Sequence, residues 1–221
     1  MHSSIIVTKP APDISLITLY EAKVSLKLDA TSTAEDESLK FMILRASDEV
    51  GVLCSRVFAK ESVIETFREI VNPISRLYLS RYPVKPADIV SIEIDEDALD
   101  PIDYDIDPET GKLTLPGGTW AEDIVVTYSG GYEVPQEVPP ALRQAVILLT
   151  REAYYTTQRG DASVRSISHK ESRIIYFDPA TQMKAAAAAG GGGGGGGGAA
   201  GGTAAQKAAQ SLLQRYTRLT A

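Results

Sequence analysis

Eight acidic residues crowd one short stretch of the chain: Asp95, Glu96, Asp97, Asp100, Asp103, Asp105, Asp107 and Glu109. Carboxylates at alternate positions are hard oxygen ligands of the kind that hold calcium, and Asp103, Asp105 and Asp107 imitate the opening of an EF-hand loop. The imitation stops there. Pro108 stands where that loop needs glycine, and Thr114 where it needs a bidentate glutamate. Acids in period two around Tyr104 and Ile106 fit the outward face of a strand instead, so no metal is expected at these residues. Paired carboxylates can also serve hydrolysis, but the sequence supplies no partner residues for them. A carboxylate-based or metal-dependent hydrolase built on Asp95 to Glu109 is the alternative reading of this chain.

The other side chains capable of chemistry are few. His2 and His169 are the only histidines and Cys54 the only cysteine, and they offer neither metal-ligand spacing nor a nucleophile-base grouping. Cys54 follows an apolar helical stripe, which marks it as a small core residue, and His169 beside Lys170 reads as a solvated loop residue. Gly117-Gly118 and Gly130-Gly131 are not phosphate loops, since no Gly-Lys-Ser or Gly-Lys-Thr follows them. Arg159-Gly160-Asp161 matches an adhesion tripeptide, but Gly160 is explained more simply as a helix C-terminal cap. No catalytic residues and no cofactor are expected.

The elements that must position whatever function remains can be read from periodicity. Thr18 and Glu21 form a capping-box pattern that starts a helix running from about 19 to 28. Thr33 or a neighbour is expected to cap a second helix over about 34–56, with Glu35, Asp36 and Glu37 in its first turn favouring the positive helix end. Its apolar stripe is Leu39, Met42, Ile43, Ala46, Val50 and Leu53. Between 61 and 129 the character turns to β, with strands expected over Ser62–Val71, Leu77–Tyr82, Ile89–Ile94 and Ile124–Tyr128. A hairpin is expected from Tyr104–Ile106 and Lys112–Leu115 around Asp107-Pro108-Glu109-Thr110-Gly111. A third helix is expected over about 140–157, then a second hairpin within 164–177. The fold class is therefore α+β: a small core of about three main helices with an inserted antiparallel β segment, followed by a C-terminal extension that ends in a helix.

Composition bounds the class further. At 221 residues and 43% hydrophobic, the chain can bury one full core plus an extension. A single cysteine excludes an internal disulfide framework and fits a reducing cytoplasm. No apolar run approaches the roughly 20 residues needed to span a bilayer, and Met1 to Val7 lacks the pattern of a signal peptide, so a soluble chain with no membrane partner is expected. Charge is divided unevenly. Residues 185–221 carry Lys207, Arg215 and Arg218 and no acid, which leaves the first 184 residues with 19 basic and 29 acidic side chains, a net −10. Such a body is a poor grip for DNA, whose affinity for proteins comes largely from Lys and Arg on phosphates. An acidic wall instead lets DNA slide, and ordinary surface acidity for solubility has the same composition.

One stretch is more specific than the rest. Val125-Val126-Thr127-Tyr128-Ser129 is a half-buried strand that runs into Gly130-Gly131-Tyr132, and Val138-Pro139-Pro140-Ala141-Leu142-Arg143-Gln144-Ala145 then opens a helix with proline in its first turn. In order and spacing, together with the Ile17 to Lys23 helix and the acidic start of the second helix, this resembles the head-to-tail connector (adaptor) proteins of tailed bacteriophages, over roughly residues 15 to 177. The resemblance implies a non-enzymatic virion protein at the head-tail junction, assembled in the host cytoplasm. It implies a ring, dodecameric to match the portal, that docks beneath the portal protein and extends the DNA channel. The ring offers a platform to a tail-side neck or tail-completion protein, and packaged duplex DNA passes through without sequence-specific binding. It also implies that the helices form the subunit core and that the β segment packs around the ring.

The body is expected to occupy 1–184. Residues 185–202 are an Ala/Gly-rich tether with nine consecutive glycines, Gly190–Gly198, and an r.m.s. span of roughly 20 to 25 Å. Residues 203–221 are a helical tail, with Ala205, Ala208, Leu212, Tyr216 and Leu219 on one face and Lys207, Arg215 and Arg218 on another. A helix this short is marginal alone and orders against a partner. By the same resemblance that partner is the portal, reached through Ala205, Ala208, Leu212, Leu213, Arg215, Tyr216, Arg218 and Leu219. DNA in the channel and the chain's own body are the other surfaces it could meet.

Overall fold

The structure, a computed structural model, describes residues 2–158, 166–169, 172–175 and 203–217. It is α+β, with antiparallel sheets and, among the described residues, four α-helices, the last of them in the C-terminal segment. The helices α1 (Leu19–Leu26), α2 (Asp36–Cys54) and α3 (Pro140–Gln158) bracket the β segment in sequence. A five-stranded antiparallel sheet is ordered β1-β2-β8-β4-β5, from β1 (His2–Lys9), β2 (Glu61–Arg68), β8 (Ile124–Gly130), β4 (Ile89–Ile94) and β5 (Asp97–Ala98). A second sheet is ordered β3-β7-β6, from β3 (Leu77–Tyr78), β6 (Asp105–Asp107) and β7 (Lys112–Thr114). β9 (Ser166–His169) and β10 (Ser172–Ile175) pair antiparallel inside the span expected to hold a hairpin.

Two apolar clusters hold these layers. The helical one gathers Leu16, Ile17, Ala22, Ile43, Ala46, Val50, Cys54, Phe58, Leu142, Ala145, Val146 and Leu149. The other lies between the sheets and joins Val63, Phe67, Ile92, Ile124, Val126 and Tyr128 of the larger sheet to Leu77, Leu113 and Trp120. β8 is strictly alternating, with Ile124, Val126, Tyr128 and Gly130 buried and the residues between them half-buried, so its period-two pattern is what sets its register between β2 and β4.

α1 begins as expected: the Thr18 side chain accepts from Glu21 N–H at 3.1 Å and Thr18 N–H donates to Glu21 Oε2 at 2.8 Å. It ends earlier, at Leu26, because Lys27 turns left-handed (φ 60°) and its neighbour Leu28 donates back to the Lys23 carbonyl. α2 corrects a second expectation. Thr33 is not its cap; Glu35 holds the cap position without a side-chain bond to the helix. Asp36 instead pairs at 2.5 Å with buried Lys23, whose ammonium also donates to the Ser32 carbonyl at 2.7 Å, so the α1–α2 link is closed by one lysine.

The strands depart from expectation at β3, at β1 and at the short β5, which was not expected either. β3 is two residues long, not six, because the chain leaves the ladder after Tyr78. β1 was not expected at all, and His2 lies in this paired strand, opposite Arg68. The acids of the 95–109 run are distributed. Asp95 and Glu96 make the tight turn between β4 and β5 with positive φ, while Asp105 and Asp107 flank Ile106 in β6, opposite Leu113 of β7. Asp107 serves the hairpin turn. Its carboxylate accepts from the Thr110 hydroxyl at 2.6 Å and the Glu109 N–H at 3.2 Å, bonds that hold it below the usual carboxylate range.

Candidate functional site

Of the residues expected to dock, those within 203–217 lie on a helix and a short turn that the described structure places against its own body. α4 spans Ala204–Leu213 and is followed by a short 3-10 turn, Gln214–Tyr216. Thr203 and Gln206 form a capping box, and both side chains also reach the body: the Thr203 hydroxyl donates to Glu152 of α3 at 2.8 Å and the Gln206 amide to Glu49 of α2 at 2.9 Å. Ala209 and Leu213 are buried in the helical cluster. The apolar face read from sequence for docking, through Ala205, Ala208, Leu212 and Tyr216, is not the one most deeply buried on the body, which runs through Ala209 and Leu213. With alanines at 205, 208 and 209 and leucines at 212 and 213, helical periodicity has two nearly equal solutions, and packing against α3 selects the Ala209–Leu213 one.

The candidate docking residues therefore divide. Leu213 is committed to the core; Ala205, Leu212 and Tyr216 are half-buried; Ala208 and Arg215 face solvent together with Lys207. Arg218 and Leu219 lie outside the described residues, as do the Ala/Gly tether over 185–202 and the Arg159-Gly160-Asp161 tripeptide. The Arg215 guanidinium lies 4.9 Å from the centroid of the Tyr216 ring and donates to its hydroxyl at 2.9 Å. Beside this end of the helix is an open cleft of about 790 Å³, walled by Arg56, Tyr78, Tyr82, Glu109, Tyr132, Arg215 and Tyr216.

The floor of that cleft was not read from sequence. Arg56 stacks its guanidinium 3.6 Å from the Tyr82 ring centroid and 4.8 Å from that of Phe58, and it donates to the Tyr82 carbonyl. Phe58 in turn stacks on Tyr132, and burial raises the Tyr132 hydroxyl above its ordinary pKa. Tyr132 was visible as part of the glycine-pair motif, but its partners come from chain separations that periodicity does not report.

The same motif positions the two halves of the molecule. A Cβ on Gly130 would lie 2.3 Å from the Arg81 carbonyl oxygen, and one on Gly131 (φ +119°) would lie 2.6 Å from that of Ala59. Gly131 N–H donates to the Pro83 carbonyl at 2.9 Å and Tyr132 N–H to Phe58 at 2.7 Å. Downstream, Arg143 donates to the carbonyls of Pro135, Gln136 and Val138 and pairs with Glu21 at 2.8 Å. The motif that carries the resemblance is thus a junction between sheet and helices.

For chemistry the described residues offer little. No group of three or more His, Cys, Asp or Glu side chains among them converges as a metal site. Cys54 is fully buried at the end of α2, and burial pushes its thiol up to about 11, with Arg56 opposing the rise. Glu65 is the one deeply buried carboxylate, 1% exposed on the sheet face, and it accepts from Ser80 N–H at 2.9 Å, the Ser80 hydroxyl, and the Tyr128 hydroxyl at 2.6 Å. These bonds brace the two sheets. No described helix is long and apolar enough to cross a membrane.

Against known proteins, no family model and no curated protein matches the sequence. Solved structures do. A chain in the neck of an empty gene transfer agent (GTA) particle, computed with C6 symmetry, superimposes with a TM-score of 0.58 over 99% of this chain and 97% of that one, at 13% identity. The fold is that of a phage-like particle neck. A chain in the virion of the native GTA particle gives a TM-score of 0.51 over 82% of this chain and 93% of that one, at 14% identity. Both likenesses run nearly the full length of the matched chains, so the β segment and the helices are shared as one arrangement.

Proposed function

We propose that this chain is a structural subunit of the neck of a tailed, phage-like particle, an adaptor that forms a ring beneath the portal, extends the DNA channel and carries the tail. The observation that carries the proposal is the full-length likeness to a neck chain, 99% of one and 97% of the other. The order of the strand, glycine pair and Pro-Pro helix motifs supports it independently. So does the chemistry: the conspicuous residues, Arg143, Gly130, Gly131 and Glu65, act within the fold, as befits a protein whose work is done by surfaces.

In this reading the partners are the portal protein above, a tail-side neck protein below and further copies of the chain around the ring, their number set by the portal's twelvefold order in the family it resembles. Portal contact falls to the solvent face of α4, Lys207, Ala208 and Arg215, with half-buried Leu212 and Tyr216 at its edge and the segment through Arg218 and Leu219 beyond it. The deciding experiment is the protein inventory of purified particles, with copy number measured against the portal protein. Equal copies of the two support a ring adaptor; absence of this chain from the particle overturns the proposal.

A further inference from the structure

β1 is exposed along its whole length. It is hydrogen-bonded on one side only, to β2, so its outer backbone edge has no ladder partner among the described residues. Its register sets Val7 opposite Val63, Ile5 opposite Glu65 and Ser3 opposite Phe67, and residues so paired point to the same face of a sheet. On β2 that face is the core. One strand over, Ile5 is 36% and Val7 40% exposed, so the core face of the sheet continues past the cover that the chain supplies for it. Exposed edge strands are normally blunted by charge, proline or brevity. β1 is eight residues long, with β-branched Ile5, Ile6, Val7 and Thr8 at its centre.

A second uncovered apolar patch sits on the helices. Phe41 is 67% and Leu44 42% exposed on α2, and both line a surface groove of about 510 Å³ that also holds Asp13 and Glu37. The two patches are complementary in charge. β1 carries Lys9 and no acid, while the groove presents Asp13 and Glu37 against one lysine, Lys40, which bonds Glu37 at 2.8 Å, so one carboxylate there is in excess. Two unlike patches on one chain are what a head-to-tail contact requires: a self-matching patch closes a twofold dimer, whereas a distinct donor and acceptor continue around a ring.

We infer that β1 of one copy docks in the α2 groove of the next, with Ile5 and Val7 against Phe41 and Leu44, and that this is a subunit contact of the ring; the inference rests on the neck reading above. It is tested in solution with the full chain. Val7→Cys and Leu44→Cys proteins are prepared separately, mixed and oxidised; Cys54, buried, adds no competing thiol. The expected result is a cross-linked heterodimer in the mixture, in yield well above that of either protein alone. Val7→Lys, a change at an exposed position, should shift the sedimentation of the chain from oligomer to monomer while its circular dichroism stays that of the wild type. Absence of the mixed cross-link overturns the inference, as does a wild-type chain that is monomeric at every concentration, or a Val7→Lys chain that assembles like wild type. Failure of the neck reading is a separate result, read from the particle inventory.

Discussion

Gly130 has no room for a side chain, since a Cβ there would meet the backbone of Arg81, an atom that cannot swing aside as a side chain does. Gly130→Ala is expected to force the Arg81–Pro83 segment off β8 and to destabilise the fold by about 2–4 kcal/mol, measured by urea unfolding. Tyr128→Phe tests the neighbouring polar brace. It removes the hydroxyl that donates to Glu65 and accepts from Arg81 N–H, while Ser80 still serves the carboxylate, so a loss of about 1.5–3 kcal/mol is expected. Glu21 links residue chemistry to pH. Burial would raise it, but its bonds with Thr18 and the Arg143 guanidinium outweigh that and hold it below its ordinary value. A carboxylate depressed in the folded state stabilises above its unfolded pKa and loses that contribution as pH falls through the folded one. Glu21→Gln should therefore be less stable than wild type at neutral pH, and the gap should close on acidification below about pH 4.

Among the elements, α4 carries the sharpest consequence. Leu213 sits in the helical cluster, so Leu213→Ala should cost about 2–4 kcal/mol, while Lys207→Glu and Arg215→Glu on the solvent face should leave unfolding within about 0.5 kcal/mol of wild type. If α4 meets the portal through that face, the charge variants should enter particles poorly despite normal stability; full incorporation would remove α4 from the portal contact. This pairing of variants is needed because deleting 203–221 would strip Ala209 and Leu213 from the core as well as the proposed contact. The elements also show what the sequence made legible. Helices with a strong cap, α1, or a long apolar stripe, α2 and α3, and the β-branched strands β4 and β8 lie close to where periodicity puts them. β1 escaped because Ile5-Ile6-Val7 is an unalternating apolar run with no buried face, and the phase of α4 escaped because adjacent alanines and adjacent leucines make two stripes equally apolar. The cleft of Arg56, Tyr82 and Tyr132 depends on three separate segments meeting, which local pattern does not encode.

Taken whole, the molecule separates its roles by layer: helices bury one core, two sheets bury another, and the glycine-pair junction fixes one against the other. In the proposed neck reading, a junction that fixes one core against the other suits a ring, where small errors of angle add up over successive copies and prevent closure. Its charge suits a conduit. Residues 1–184 carry a net −10, so duplex DNA approaching the body meets repulsion, and few phosphates find a cation to release their counterions. The cations of α4 are too few to reverse this, since Lys207 and Arg215 are the only basic residues over 203–217. The purified chain is therefore expected to show no retention on duplex DNA at physiological salt in a filter or gel-shift assay, and only weak retention when salt is lowered. Strong binding with a steep salt dependence would mean that basic residues converge on one surface, and it would replace the sliding wall with a DNA grip. Neutralising acids of the 95–109 run, for instance Asp97→Asn with Asp105→Asn, both exposed, separates the two outcomes: a sliding wall gains DNA affinity when its repulsion is reduced, whereas a grip formed elsewhere is little changed.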